Sequence, residues 1–203
     1  RWLFESDADL IIVSGVTASR VEPLIVEGSP YVMLVQPGTD RTGTVVVGKG
    51  EFNVTQARSE ATGQVVVAVS VPTDSSTVDV VTTWGLIGSS SERADLLEER
   101  IALLTEVTAQ QSDRVAIIGN LGATRWTKAM RDLRGDLGLR DAMEGRGYLS
   151  TSPVSDFPLI GGWIGIPIDV VLMSDGVTPL SLTTGPDIGA NHLPVSVIIG
   201  PTD

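Results

Sequence analysis

The sequence predicts a mixed α/β domain, and two patterns carry that reading. Short β-branched runs recur through most of the chain, and two longer stretches between them set apolar residues at helical intervals. Strands, then helix, strand, helix and strands again is the order of an α/β protein, not of a helical bundle or an all-β sandwich.

The strand runs are residues 10–13, 31–35, 44–47, 65–71, 78–82, 115–118, 168–173 and 195–199. Most are bounded by Gly, Pro, Asp or Ser, as strands are. The first helix is predicted from Ser89-Ser90-Ser91-Glu92, which has capping-box spacing, followed by Leu97, Ile101, Leu104 and Val107 on one stripe. The second is predicted from Thr124, which precedes Trp126, Met130, Leu133 and Leu137 and a stop at Gly138. Trp126 is expected in the core on that stripe. A third, shorter helix is expected after Thr17, with Pro23 limiting its length.

Composition sets the outer bounds. A chain of 203 residues can bury one sizeable core, so a single domain over residues 1–203 is expected. With 14 basic residues, scattered along the chain, against 25 acidic ones, the net charge is −11. Nucleic acid is held largely by Lys and Arg through counterion release, so that balance argues against a DNA or RNA partner. The absence of cysteine excludes disulfides, thiolate metal sites and cysteine nucleophiles. His192 is the one histidine, which excludes a His-rich metal site. No apolar run approaches the ~18–20 residues of a membrane helix. The richest, residues 157–173, is interrupted by glycines, two prolines and Asp169. The chain opens at Arg1-Trp2-Leu3 without an initiator Met, and it is expected to be a piece of something longer. Asn53-Val54-Thr55 has the form of a glycosylation acceptor, a tripeptide too common by chance to carry weight. Gly161-Gly162 does not precede a helix as a phosphate-binding loop would.

Six segments in order then carry a resemblance. Gly119-Asn120-Leu121-Gly122-Ala123-Thr124 follows an apolar strand and is similar to the Gly-Asp-Phe-Asn-Ala-Thr turn of the endonuclease/exonuclease/phosphatase superfamily. Gly138-Leu139-Arg140-Asp141-Ala142 resembles a segment of its bacterial, membrane-anchored, VanJ-like branch. Pro167-Ile168-Asp169-Val170-Val171-Leu172 looks like the Pro-Ile-Asp-His-Val-Leu strand, and Gly185 to Pro194, ending Asn191-His192-Leu193-Pro194, resembles the Gly-Ser-Asp-His-Leu-Pro ending. Residues 8–17 fit the strand that normally ends Leu-Gln-Glu-Val, and residues 80–84 fit the one that normally reads Asn-Thr-His. The family's first strand, with its catalytic Asn, has no counterpart.

The resemblance implies a DNase I-like four-layer sandwich of two mixed β-sheets flanked by helices, with the site at one edge where strand ends meet. It also implies phosphate-ester hydrolysis with a divalent cation, usually magnesium, held by carboxylates. Mapped onto this chain, however, that plan has lost most of its chemistry. The metal-binding Glu falls on Gly15 and the strand His on Trp84. The Asp and Asn of the turn fall on Asn120 and Gly122, the His beside the dyad Asp falls on Val170, and the Asp before the final His falls on Asn191. Asp169 and His192 remain. An amide is neutral where a carboxylate is an anionic pair of oxygens, and each lost acid–base group typically costs about 10²–10⁴-fold in rate.

The expected function is therefore a catalytically inactive domain acting as an extracytoplasmic ligand- or partner-binding module. The alternatives are a divergent metal-dependent phosphodiesterase or phosphatase retaining the Asp169–His192 pair, and a structural or assembly role. No metal cofactor is expected. The expected partner is an apolar or envelope molecule, or a membrane protein. Trp84, Asn120, Asn191 and Trp163 are its candidate contacts, since aromatic side chains have entered a formerly charged cleft. The expected location is the outer face of the cell membrane, through an anchor outside this chain.

Overall fold

A computed structural model describes residues 5–17, 29–35, 43–50, 52–74, 76–84, 92–146, 151–153 and 165–202. In chain order the elements are strands β1 (Leu10–Val16), β2 (Tyr31–Val35), β3 (Gly43–Lys49), β4 (Asn53–Arg58), β5 (Val65–Pro72) and β6 (Thr77–Thr83), then helix α1 (Glu92–Ala109). Strand β7 (Val115–Asn120), helix α2 (Lys128–Asp136) and strands β8 (Arg140–Asp141), β9 (Ser152–Pro153) and β10 (Gly165–Ile166) follow. The chain closes with β11 (Asp169–Met173), β12 (Val177–Thr184) and β13 (Val195–Pro201).

The central sheet has six strands in the order β4-β5-β6-β7-β11-β8, antiparallel throughout except for the parallel β6–β7 pair. Parallel pairing requires a crossover, and α1 supplies it between β6 and β7. The alternation of side chains along each strand sorts the core onto two faces. Val66, Ala68, Val81, Val115, Ile117, Val170 and Leu172 face Leu104 and Val107 of α1 and Met130 and Leu133 of α2. On the opposite face, Val67 and Val69 meet Val46 and Val35 of the three-stranded sheet β1-β3-β2. Further along that face, Ala116, Val171 and Met173 pack against the β12–β13 hairpin through Val177, Leu182, Val195 and Val197. The outer face of the three-stranded sheet is buried too, at Ile11, Tyr31, Val45 and Val47. Helices, the central sheet and a second sheet packed on it give the layered, DNase I-like α/β sandwich that was expected.

Several local expectations differ from the structure. α2 begins at Lys128 with Thr127, not Thr124, as its cap, and Thr127 Oγ1 accepts from the Met130 amide at 3.4 Å. Thr124 instead closes a turn, its carbonyl accepting from the Thr127 amide and hydroxyl. Trp126 therefore lies ahead of the helix and is 54% exposed, not in the core. Strand β4 was not legible because it is a largely polar edge strand, half-buried only at Val54 and Ala57. Strand β12 was hidden by Pro179, which sits at a register shift against β13, where proline is tolerated. The helix expected after Thr17 and the Ser89–Ser91 capping segment lie outside the described residues.

Candidate functional site

Trp84, Asn120 and Asp169 form a row across neighbouring strands at one end of the central sheet. Asn120 and Asp169 are direct partners in the antiparallel β7–β11 ladder, and Trp84, just past β6, bridges Asn120 in parallel. Strand pairing alone thus assembles side chains that are far apart in sequence. His192 arrives from the connection between β12 and β13. That connection is closed at its base by the Gly185 amide donating to the Pro194 carbonyl at 2.8 Å.

The His192 Nδ1 and Asp169 Oδ2 are 2.8 Å apart, with both side chains partly buried. This hydrogen bond raises the His192 pKa above its ordinary value, opposed in part by burial. It joins positions 23 residues apart, as the resemblance required. Thr151, fully buried, holds both ends of the pair: its carbonyl accepts from the Leu193 amide at 2.7 Å and its hydroxyl from the Asp169 amide at 3.4 Å.

Asn120 is 8% exposed, and its Oδ1 accepts from the Gly122 amide at 2.8 Å, closing a tight turn. Gly122 has φ +73°, in the left-handed region. Beneath this turn lies the guanidinium of Arg100, whose Nη1 donates to the Leu121 carbonyl at 2.5 Å. Sequence reasoning missed Arg100, although a signal existed. It stands three residues after Leu97 and four before Leu104, so it falls on the buried stripe of α1.

At Gly15, with φ +74°, a Cβ would stand 2.9 Å from the Cζ2 and Cη2 atoms of Trp84. The ring of Trp84 therefore occupies the space into which any side chain at position 15 would project. The donor set here does not suit a hard divalent ion, which takes anionic and carbonyl oxygens. Position 15 has no side chain, and the Asn120 oxygen already accepts a backbone amide. Among the described residues no three His, Asp or Glu side chains cluster as a metal site. Asn191 is exposed and precedes His192 directly, while Trp163 lies outside the described residues.

No family model matches the sequence, and no curated protein matches it. Solved structures do. A humanized D. rerio TDP2 aligns with a TM-score of 0.75 at 13% identity, over 98% of this chain and 88% of that one. The 3′ phosphatase NExo from Neisseria, bound to a product DNA hairpin, aligns with a TM-score of 0.75 at 15% identity, over 98% and 91%. An endonuclease/exonuclease/phosphatase from Beutenbergia cavernae aligns with a TM-score of 0.65 at 13% identity, over 97% and 63%. At such identities the likeness is one of fold. The chain has the DNase I-like fold of the endonuclease/exonuclease/phosphatase structures.

Proposed function

We propose that this chain is a catalytically inactive relative of the endonuclease/exonuclease/phosphatase enzymes, which binds a ligand or partner at the old site without a divalent cation. The packing of Trp84 onto Gly15 carries this reading. A carboxylate at position 15 needs a Cβ where the ring carbons lie at 2.9 Å, so the aromatic ring and the metal ligand of the family plan exclude each other. Asn120 and Asn191 add neutral amides where that plan has anions. The Asp169–His192 pair then orients an imidazole that lacks its cooperating groups. A buried polar pair of this kind has a structural use of its own, because each partner satisfies the other.

The ligand class that suits the site has an apolar part for the face of Trp84, as an envelope lipid or a membrane-protein segment would. The VanJ-like resemblance of Gly138-Leu139-Arg140-Asp141-Ala142 supports an extracytoplasmic, membrane-anchored setting, and the net charge of −11 speaks against nucleic acid as a partner.

Calorimetric titration with magnesium or manganese is the direct test, and no tight binding is expected. Micromolar binding that Asn191→Ala abolishes overturns the reading. So does hydrolysis of a phosphodiester that is lost in His192→Ala. Either result favours the second reading, a divergent phosphodiesterase, for which the 2.8 Å His192–Asp169 contact is the supporting observation.

A further inference from the structure

We propose that the outer surface of α2, together with Trp126 ahead of it, seats this chain on an anionic lipid surface. This goes beyond the reading of the old site, and it holds whether or not that site hydrolyses a phosphate ester.

Tryptophan is on average a highly buried side chain, yet Trp126 is 54% exposed. Two cations fix it there. The Arg125 guanidinium stands 5.5 Å from the centre of its ring, and Arg131 Nη1 donates to its carbonyl. Arg125 is itself anchored, with its Nε 3.4 Å from the buried Asp141 carboxylate. The indole thus projects from a braced turn.

The helix continues the same surface. Met130 and Leu133 are buried in the core, and the helical repeat places Lys128, Arg131 and Gly135 on the opposite side. Lys128 and Arg131 are exposed. A Cβ at Gly135 would meet nothing within 4 Å, so the helix backbone itself can approach a flat surface there. Arg134 is taken by Glu144, and Lys128 has only the exposed Asp132, a pair of little strength. Among the described residues no carboxylate lies within ion-pair distance of Arg131. This basic strip belongs to a chain of net charge −11. An anionic surface repels the acidic remainder and attracts this side, so charge alone sets the orientation of approach. An indole flanked by Lys and Arg has the composition of an interfacial anchor, with the ring at headgroup level and the cations on lipid phosphates. Nucleic acid also offers phosphates, but it is held by many cations through counterion release, and this strip has few.

Co-sedimentation of the whole chain with vesicles tests this. Binding is expected to vesicles of equimolar phosphatidylcholine and phosphatidylglycerol, falling as salt rises, and it should be much weaker to phosphatidylcholine alone. Reversing one charge on the strip, Arg131→Glu, should weaken it about tenfold. Arg58→Glu, the same reversal on edge strand β4, should leave most of it. Trp126→Ala should weaken binding severalfold and remove the blue shift of tryptophan emission that these vesicles produce in the wild type. No binding to the anionic vesicles overturns the inference, as does equal binding to both kinds. Equal losses in Arg131→Glu and Arg58→Glu, or wild-type affinity in Trp126→Ala, overturn it too. Should Arg131→Glu fail to fold, Lys128→Glu, on a side chain 82% exposed, takes its place under the same criteria. A mixed-sequence oligonucleotide is titrated in parallel, and binding to it without binding to vesicles assigns the strip to nucleic acid and removes the lipid reading.

Discussion

Gly15 and Trp84 are best understood as one packed pair. Each residue alone would be misplaced: the glycine leaves a hole, and the indole needs that hole. Gly15→Ala is expected to cost about 1–3 kcal/mol, from overpacking and from the positive φ. In a Trp84→Ala background the same change should cost clearly less, because the steric share has gone. Urea unfolding of the four proteins measures the coupling, and equal costs in both backgrounds would refute it. His192 makes a second residue-scale prediction. Its pKa is raised in the folded protein, so the stability it contributes is complete below the unfolded value of roughly 6.5 and is lost as pH rises through the folded value. Ring titration by NMR should show the raised value in the native chain and a lower one in Asp169→Asn. An unchanged value in the variant would mean that the carboxylate is not the cause.

At the scale of elements, side chains decide where helices start and how strands are tied together. The Thr127 cap predicts that Thr127→Ala destabilises the protein by about 1 kcal/mol, whereas Thr124→Ala leaves the cap intact. Thermal unfolding of the pair distinguishes the two threonines, which the sequence pattern alone confused. Asp79 on β6 joins three segments, accepting from Ser70 on β5 and from both the amide and the hydroxyl of Ser112 after α1. Burial works to raise its pKa, but the Ser112 and Ser70 hydrogen bonds outweigh it and the net shift is downward. Its contribution is therefore present above the ordinary carboxylate pKa and is lost as pH falls through the depressed folded value. Asp79→Asn should cost roughly 1–3 kcal/mol near neutrality, and less in acid. Chemical denaturation across that range checks the sign.

At the scale of the molecule, the central sheet is the part on which the other layers depend. β5, β6, β7 and β11 have partners on both edges, and both faces of the sheet are buried under different clusters. Among the described residues the β12–β13 hairpin pairs only with itself, and it keeps Leu180 and Ile198 exposed. Amide hydrogen exchange should therefore be slowest at Val66, Val81, Ile117 and Val171 and faster along the hairpin. Faster exchange in β6 and β7 than in β13 would contradict this hierarchy. His192 is carried on the connection of that weaker hairpin while Asp169 belongs to the firm sheet. The hydrogen bond between them thus also docks one unit onto the other.

The sequence by itself determined the class of fold and most of its strands. β-branched runs and apolar stripes are local signals, and burial acts on them in the same way wherever the chain goes. The family resemblance implied that Asp169 and His192 meet, which the 2.8 Å contact bears out, and residue identity alone showed that Gly15, Asn120 and Asn191 carry no charge. Polar β4, proline-bearing β12 and the true start of α2 were not legible. Edge pairing, a register shift and a cap choice are each settled by neighbours, not by composition. Only the tertiary structure put the Trp84 ring on Gly15, and only it brought an unpaired Arg100 beneath the Asn120 turn. Both are contacts between elements distant in sequence. Sequence position fixes which groups exist, but the packing of sheet against helix fixes which charge lies beside which.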